Sequence, residues 1–426
     1  MSILNVNKIN PVGGGSTITI AGIASVTSSV TAPSFVGNVT GNITGNADTA
    51  SGLSGNPSIN TTGIVTATSF VPTVGQLSHR NIIVNGACMV AQRGTSSTSG
   101  GYQTVDRFPA YHTGGAVTQS QGTLTSGTPF DNGLPNYMRI TNTTANTASD
   151  HARSIIYKIE AQDIRHSGWN YKSSSSYITF SFYVRSSVSQ QFYIMARTQD
   201  GTQLQYSFSI GTLSADTWTK VTHSIPGNSN LTFDNNSDRG LEFFIYAALG
   251  TDFTSSSVSL NTWGAYTSAA RLPDYANTWA STTNATFDIT GLQLEVGSVA
   301  TPFEHRSFAD ELKRCQRYFY RMQNGSSGSY WIGHTSSYGG NNNIMMVYLP
   351  VCMRDNPSVS TSGTASHFQV WGNGTVENLS TLPALRSSNG INPSVIPIDI
   401  THNITTGHTR IVRMGSQAYI EFSAEL

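Results

Sequence analysis

The chain has 426 residues, with 23 basic and 23 acidic side chains, so its formal net charge is zero and only 11% of its residues are charged. That balance, with five Lys in the whole chain, excludes partners held by bulk electrostatics: duplex or single-stranded nucleic acid and anionic membrane. Eighteen Phe, 18 Tyr and 6 Trp supply enough large side chains for a core, so the Gly-, Ser- and Thr-rich composition does not read as disorder.

No apolar stretch is long enough for membrane insertion, and Met1–Asn5 lacks the basic-then-apolar pattern of a secretory signal. Residues 1–79 carry two charges, Lys8 and Asp48, and they repeat. Val30-Thr31-Ala32-Pro33-Ser34-Phe35-Val36 returns as Val65-Thr66-Ala67-Thr68-Ser69-Phe70-Val71, with Gly-Asn-x-Thr tetrads from Gly37 to Asn46 between them. One Val or Ile in four buries too little surface in a single chain to offset backbone entropy of ~1–2 kcal/mol per residue. The segment therefore reads as a fibrous shaft of several intertwined copies, with a flexible linker as the alternative.

Residues 80–305 change to short β patterns punctuated by turns. Tyr177–Arg185 alternates, with Ile178, Phe180, Phe182 and Val184 on one face. Phe192–Arg197, Tyr206–Ile210, Trp218–Ile225 and Leu241–Ala248 read as further strands. In the last strand Phe287 and Ile289 share one parity while Leu292, Leu294 and Val296 share the other, which places a β-bulge at Gly291. Many short strands argue a jelly-roll β-sandwich. A connecting helix is expected over 306–321, capped by Ser307 with Asp310 and carrying the stripe Phe308, Leu312, Cys315 and Phe319. That stripe packs on the sandwich or runs along a symmetry axis. Residues 322–426 form a small C-terminal β domain, with strands at Met345–Pro350, Phe368–Trp371 and Ala418–Phe422. The fold class is all-β.

Chemistry is sparse. Cys88, Cys315 and Cys352 lack a C-x-x-C spacing and read as free, mostly buried thiols of a reducing cytoplasm, not as a zinc site or disulfide framework. No G-x-S-x-G elbow or phosphate-binding Gly loop is present, and His402 and His408 read as solvated loop histidines. No catalytic residue and no metal ligand is assigned, and no cofactor is expected. Oxygen ligands for a structural Ca²⁺ are plentiful, but no spacing marks a site. What remains is aromatic-rich turn chemistry suited to sugars, in which rings stack on pyranose C–H faces and amides bond the hydroxyls. The candidates are Tyr330, Trp331, His334, Tyr338, Asn341, Asn342 and Trp371 in the C-terminal domain, with Trp169, Tyr171, Trp263 and Tyr266 in the sandwich. For each cluster the alternative is that the rings close the ends of a core.

The run from Asp288-Ile289-Thr290-Gly291-Leu292-Gln293-Leu294-Glu295-Val296-Gly297-Ser298 through Thr301-Pro302-Phe303-Glu304-His305-Arg306 to Phe319 resembles a segment of tailed-bacteriophage tail fibre proteins. Arg80–Ala87, Gln92-Arg93-Gly94 and Asp106-Arg107-Phe108 are similar to the start of the same module, and the Gly-Asn-x-Thr tetrads to fibre shaft. The resemblance covers residues 1 to about 321. It implies a jelly roll akin to carbohydrate-binding modules, in a homotrimeric virion protein made in the host cytoplasm. Its N-terminal segment would join the phage tail or baseplate, and its partner would be a bacterial surface glycan. The resemblance implies no catalytic residue, and it places ligand specificity in residues 322–426. A polysaccharide-cleaving tailspike and a purely structural fibre or connector are the alternatives.

Overall fold

The computed structural model describes residues 78–323, 328–339, 342–372, 374–386, 392–402 and 409–426; the repeats of residues 1–77, read as shaft, lie outside the described residues. The first twelve strands are β1 (Ser96–Ser97), β2 (Ala110–Thr113), β3 (Val117–Thr123), β4 (Asn136–Asn142), β5 (Ala152–Glu160) and β6 (Tyr177–Ser186). They continue with β7 (Gln190–Thr198), β8 (Leu204–Leu213), β9 (Thr219–Pro226), β10 (Arg239–Leu249), β11 (Trp263–Ala265) and β12 (Thr286–Val296). One sheet has the order β1-β3-β4-β12-β6-β9 and the other β11-β8-β7-β10-β5-β2. Counting β4 to β10 and β12 as eight strands, the sheets run first-eighth-third-sixth and second-seventh-fourth-fifth, the interleaving of a jelly roll.

Side-chain alternation puts this sandwich together. In β6, Ile178, Phe180, Phe182 and Val184 are all buried. Phe180 stacks on Phe243 of the opposite sheet at 4.7 Å between ring centres, and Phe192 meets Phe287 at 5.1 Å. Each such ring contributes about 1.5–3 kcal/mol on burial. The parity switch in β12 is a bulge: Thr290 pairs with Tyr183 and Gln293 with Ser181, so three residues advance against two. Gly291 takes φ +64 there, and a Cβ on it would lie 2.6 Å from Leu134 Cδ1. Leu292 and Leu294 thereby return to the core with Phe287 and Ile289.

Three helices of four or five residues, α1 (Thr128–Asp131), α2 (Ala161–Arg165) and α3 (Thr278–Ser281), edge the sandwich. The connecting helix α4 spans Phe308–Gln316, shorter than the expected 306–321. Its start is as expected: Asp310 N donates to Ser307 Oγ at 3.2 Å, and Ser307 Oγ donates to Asp310 Oδ2 at 2.6 Å. Its end and its buried face differ. Phe308 is 56% exposed, and the helix buries Cys315 and Glu311, the latter accepting from Asn85 N. Tyr318 and Phe319 leave the helix because Arg107 lies 3.4 Å over the Tyr318 ring and Arg93 3.4 Å over the Phe319 ring. Phe319 then opens a strand.

The remaining strands are β13 (Phe319–Gln323), β14 (Tyr330–Gly339), β15 (Asn342–Tyr348), β16 (Ser358–Thr361) and β17 (Phe368–Gly372). After them come β18 (Thr375–Asn378), β19 (Ala384–Leu385), β20 (Val395–Thr401), β21 (Arg410–Met414) and β22 (Tyr419–Ser423). They form a seven-stranded sheet, β18-β17-β21-β14-β15-β20-β19, and a three-stranded one, β13-β22-β16. Val370, Val412, Met414, Met345, Ile398, Ile420 and Phe422 fill the core between them.

The residues that resemble tail fibre proteins mostly bond to one another or across to this second core. The Asn81 amide donates to Leu292 O and accepts from Leu294 N and Ile83 N. Gln293 Oε1 accepts from Glu304 N, and Glu295 accepts from Thr301 N. Gln92 Nε2 donates to Phe319 O, while Arg107 and Arg93 both reach the Glu425 carboxylate, at 2.5 and 3.3 Å. Arg107 and Asp106 are each 1% exposed. Cys88 and Cys315 are buried as expected, but Cys352 is exposed. His402, expected in solvent, is buried with its ring against Asn343 Nδ2 at 2.8 Å; His408 lies outside the described residues.

Candidate functional site

The outer face of the seven-stranded sheet gathers three of the expected residues, Trp331, His334 and Trp371. Alternation in β21 sends Val412 and Met414 inward and Ile411 and Arg413 outward. In β17 the same rule buries Phe368 and Val370 and presents Gln369 and Trp371. In β14 a bulge between Trp331 and Gly333 puts Trp331 and His334, three residues apart, on one face while Ile332 packs on the core. Strand register then aligns two rows. Val376, Trp371, Ile411 and His334 lie opposite one another, and Met346 with Pro397 extend the row. The neighbouring row holds Asn378, Gln369, Arg413 and Trp331.

Trp331 is 50% exposed and Trp371 39%, with ring centres 5.7 Å apart and planes inclined at 56°. The guanidinium of Arg413 lies 5.6 Å from the Trp331 ring, and its Nε donates to Gln369 Oε1 at 2.8 Å. Gln369 Nε2 in turn donates to Asn378 Oδ1 at 2.8 Å. The arrangement is a shallow, two-ring platform with a fixed ladder of amide and guanidinium groups along one side. Such a surface can stack apolar C–H faces and bond hydroxyls at once. Tyr330, half exposed, stands at the end of β14, and Tyr348 is the most exposed large ring at 76%.

Other candidates are placed differently. Tyr338 and Asn342 lie in β14 and β15 with side chains outside the described residues, and Asn341 is itself outside them. Trp169 and Trp263 are core residues: Trp169 Nε1 donates to Ser176 O and Trp263 Nε1 to Pro226 O, so both indoles bury their planes and satisfy their one donor. Tyr171 packs edge-on against Phe233 at 5.0 Å between ring centres. Tyr266 is half buried on the outside of the second sheet, with the Arg197 guanidinium 4.7 Å from its ring. None of these four shares a surface with Trp331. Arg413, Gln369 and Ile411 are site residues not singled out in the sequence; the alternation of Arg410-Ile411-Val412-Arg413-Met414 was the available signal. Among the described residues no group of three or more His, Cys, Asp or Glu is placed to hold a metal ion.

No protein-family model matches this chain, and no curated protein matches it. Among solved structures it is similar to the enzymatically active domain of tailspike protein 4 of bacteriophage CBA120, at 12% identity and a TM-score of 0.27, over 51% of this chain and 21% of that one. It is similar also to the family 11 carbohydrate-binding module of Clostridium thermocellum, solved with a mixed-linked tetrasaccharide, at 14% identity and a TM-score of 0.23, over 49% and 98%. A tandem pair of family 22 carbohydrate-binding modules from Paenibacillus barcinonensis matches 84% of this chain and all of its own, at 10% identity and a TM-score of 0.25. At these scores the likenesses carry no argument about ligand or activity.

Proposed function

We propose that this chain is a receptor-binding fibre protein of a phage tail, non-enzymatic, that adsorbs to a host surface polysaccharide of the lipopolysaccharide or capsule type. The observation that carries the reading is the pair of half-exposed indoles, Trp331 and Trp371, beside the Arg413–Gln369–Asn378 ladder. Two large rings left in water on a flat sheet face mark an interaction surface. The resemblance of Asp288–Phe319 and Arg80–Phe108 to tail fibre proteins supports the virion context. The bonding of those residues among themselves accounts for them as scaffold, which supports the aromatic face as the place of ligand contact. In this reading residues 1–79 join the tail or baseplate, and three copies of the chain assemble. Linked copies make weak single contacts sufficient, because avidity rises by ~10²–10⁴.

The test is co-incubation with envelope polysaccharides of candidate hosts, resolved by size-exclusion chromatography. Protein eluting with intact glycan supports the reading, and W331A or W371A should weaken binding about tenfold, a change of ~1.4 kcal/mol. Contact with a neutral glycan through stacking should vary little with salt. Glycan moving to smaller size would replace the reading with a polysaccharide-cleaving tailspike, and no co-elution across the panel would favour a structural fibre. A second reading has its own observation: Met346, Val376 and Pro397 continue the Trp371 row without hydrogen-bonding side chains, as a contact between copies would. Sedimentation decides it, since W331A and W371A would then change the assembly state and leave glycan binding per copy intact.

A further inference from the structure

The jelly roll carries a cleft on the outer face of the sheet that contains β12. The bulge at Gly291 opens a cleft of about 400 Å³, within the ~300–1,000 Å³ usual for ligand pockets. Tyr183 and Ser181 of β6 form its floor, and Phe303 and His305 of the segment after β12 form a wall. Asn132, following α1, and Lys220 of β9 complete the lining.

The elements are held in place. Tyr183 pairs with Lys220 across β6 and β9 and with Thr290 across β6 and β12, so ring and ammonium stand side by side, 5.9 Å from Nζ to ring centre. Tyr183 is 8% exposed, with a Cβ on Gly291 projected 3.2 Å from its Cδ2. The His305 ring sits against Gly133, where a Cβ would come 3.0 Å from its Cε1, and meets Phe303 edge-on at 5.0 Å.

Charge decides the ligand class. On this face Arg139 and Arg185 both bond Asp288. Lys220, on an exposed rim position, forms no ion pair among the described residues. Hydrogen bonding to Asp288, with Asp216 nearby, raises the Arg139 pKa, and Glu295, which accepts from Thr301 of the cleft lining, pairs with Arg80. The charges around this face are therefore four cations, Arg80, Arg139, Arg185 and Lys220, against three anions, Asp288, Asp216 and Glu295. A cleft with aromatic surfaces, an amide, a hydroxyl and an uncompensated ammonium has the composition needed for a six-membered sugar that carries a carboxylate. We propose that this cleft binds a uronic-acid-type residue of the polysaccharide, Lys220 pairing with its carboxylate and Phe303 contacting a C–H face. The proposal rests on the polysaccharide-binding reading but uses a different module of the chain.

The test titrates the full chain with glucuronate and galacturonate against glucose and galactose, read by saturation-transfer NMR and calorimetry. Uronates should bind at least about tenfold more tightly than the neutral hexoses, and more weakly as salt rises from about 0.05 to 0.5 M. K220Q, at an exposed position that should not disturb folding, should lower uronate affinity about tenfold, while W331A leaves it unchanged. Equal binding of neutral and acidic sugars, wild-type affinity in K220Q, or no uronate binding at all would each overturn the proposal. Uronate binding that survives W331A while whole-polysaccharide binding by wild-type protein fails would retain this cleft and reject the aromatic face.

Discussion

Truncating Glu425 to Ala removes the carboxylate that two arginines share and leaves Arg107 in a site where it is 1% exposed. Its Nη2 keeps the Lys158 carbonyl at 2.8 Å and its plane keeps the Tyr318 ring, but Nε has no partner and no other carboxylate pairs with it among the described residues. Arg93 loses less, because Asp106 Oδ1 stays 3.9 Å from its Nη1. Breaking one side of a buried pair costs about 3–5 kcal/mol, against a total stability of about 5–15 kcal/mol. E425A should therefore lower the urea midpoint sharply and the melting temperature by roughly 6–20 °C, at about 2–4 °C per kcal/mol. Amide exchange in β22 should rise first, since Glu425 anchors the residues that follow that strand. R107M combined with E425A removes the stranded charge as well, so the double variant should recover about 2 kcal/mol or more relative to E425A. Urea unfolding of the two single variants and the double variant is the assay. A loss under about 1 kcal/mol in E425A, or a double variant no more stable than E425A, would refute the account of this junction.

The bulge and one partly buried imidazole give two more expectations. G291A forces a side chain into the left-handed region and toward Leu134, which together should cost about 2–5 kcal/mol; a stability within about 0.5 kcal/mol of wild type would mean the bulge tolerates a Cβ. His223 stacks on Phe208 at 4.0 Å with planes 6° apart, and burial pushes its pKa down to about 4. The folded value lies below the unfolded one near 6.5, so its contribution to stability is complete above about pH 6.5 and is lost as pH falls toward 4. NMR titration of its ring protons should show a midpoint close to 4, and a midpoint above 6 would contradict the packing.

The larger sandwich was legible because period-two alternation is regular in β6 and through Leu241–Ala247 of β10, and the parity change at Gly291 in β12 located the bulge from sequence alone. The helix ran too long because Phe319 continues the stripe of Phe308, Leu312 and Cys315, while its actual end is set by Arg107 and Arg93, more than two hundred residues away in sequence. Trp169 and Trp263 looked like ligand platforms because the same aromatic-plus-amide composition closes a core end or lines a cleft; only their satisfied indole donors separate the two cases. The Trp331 platform was half visible. Each ring stood out in its own stretch of sequence, but Trp331 on β14 and Trp371 on β17 meet only across β21, and the ladder beside them comes from β17, β18 and β21, joined by non-local register.

The arc from Ser78 to Phe108 has a mechanical consequence. Residues 82–86 run hydrogen-bonded beside β12, through Ile82 N to Leu294 O and Leu292 N to Gly86 O. Farther along, Arg93 and Arg107 grip Glu425, just past β22, the strand that follows β21 of the aromatic sheet. Tension applied between Trp331 and Ser78 thus has a short route, from β14 through its neighbour β21, along β22 to Glu425, and into the arc. The hairpins β3 to β11 lie off that line. Load between these points passes through clustered ion pairs and a few backbone bonds, and Arg80, bonded to Thr301 Oγ1 and Pro302 O, carries part of it directly into the wall of the cleft.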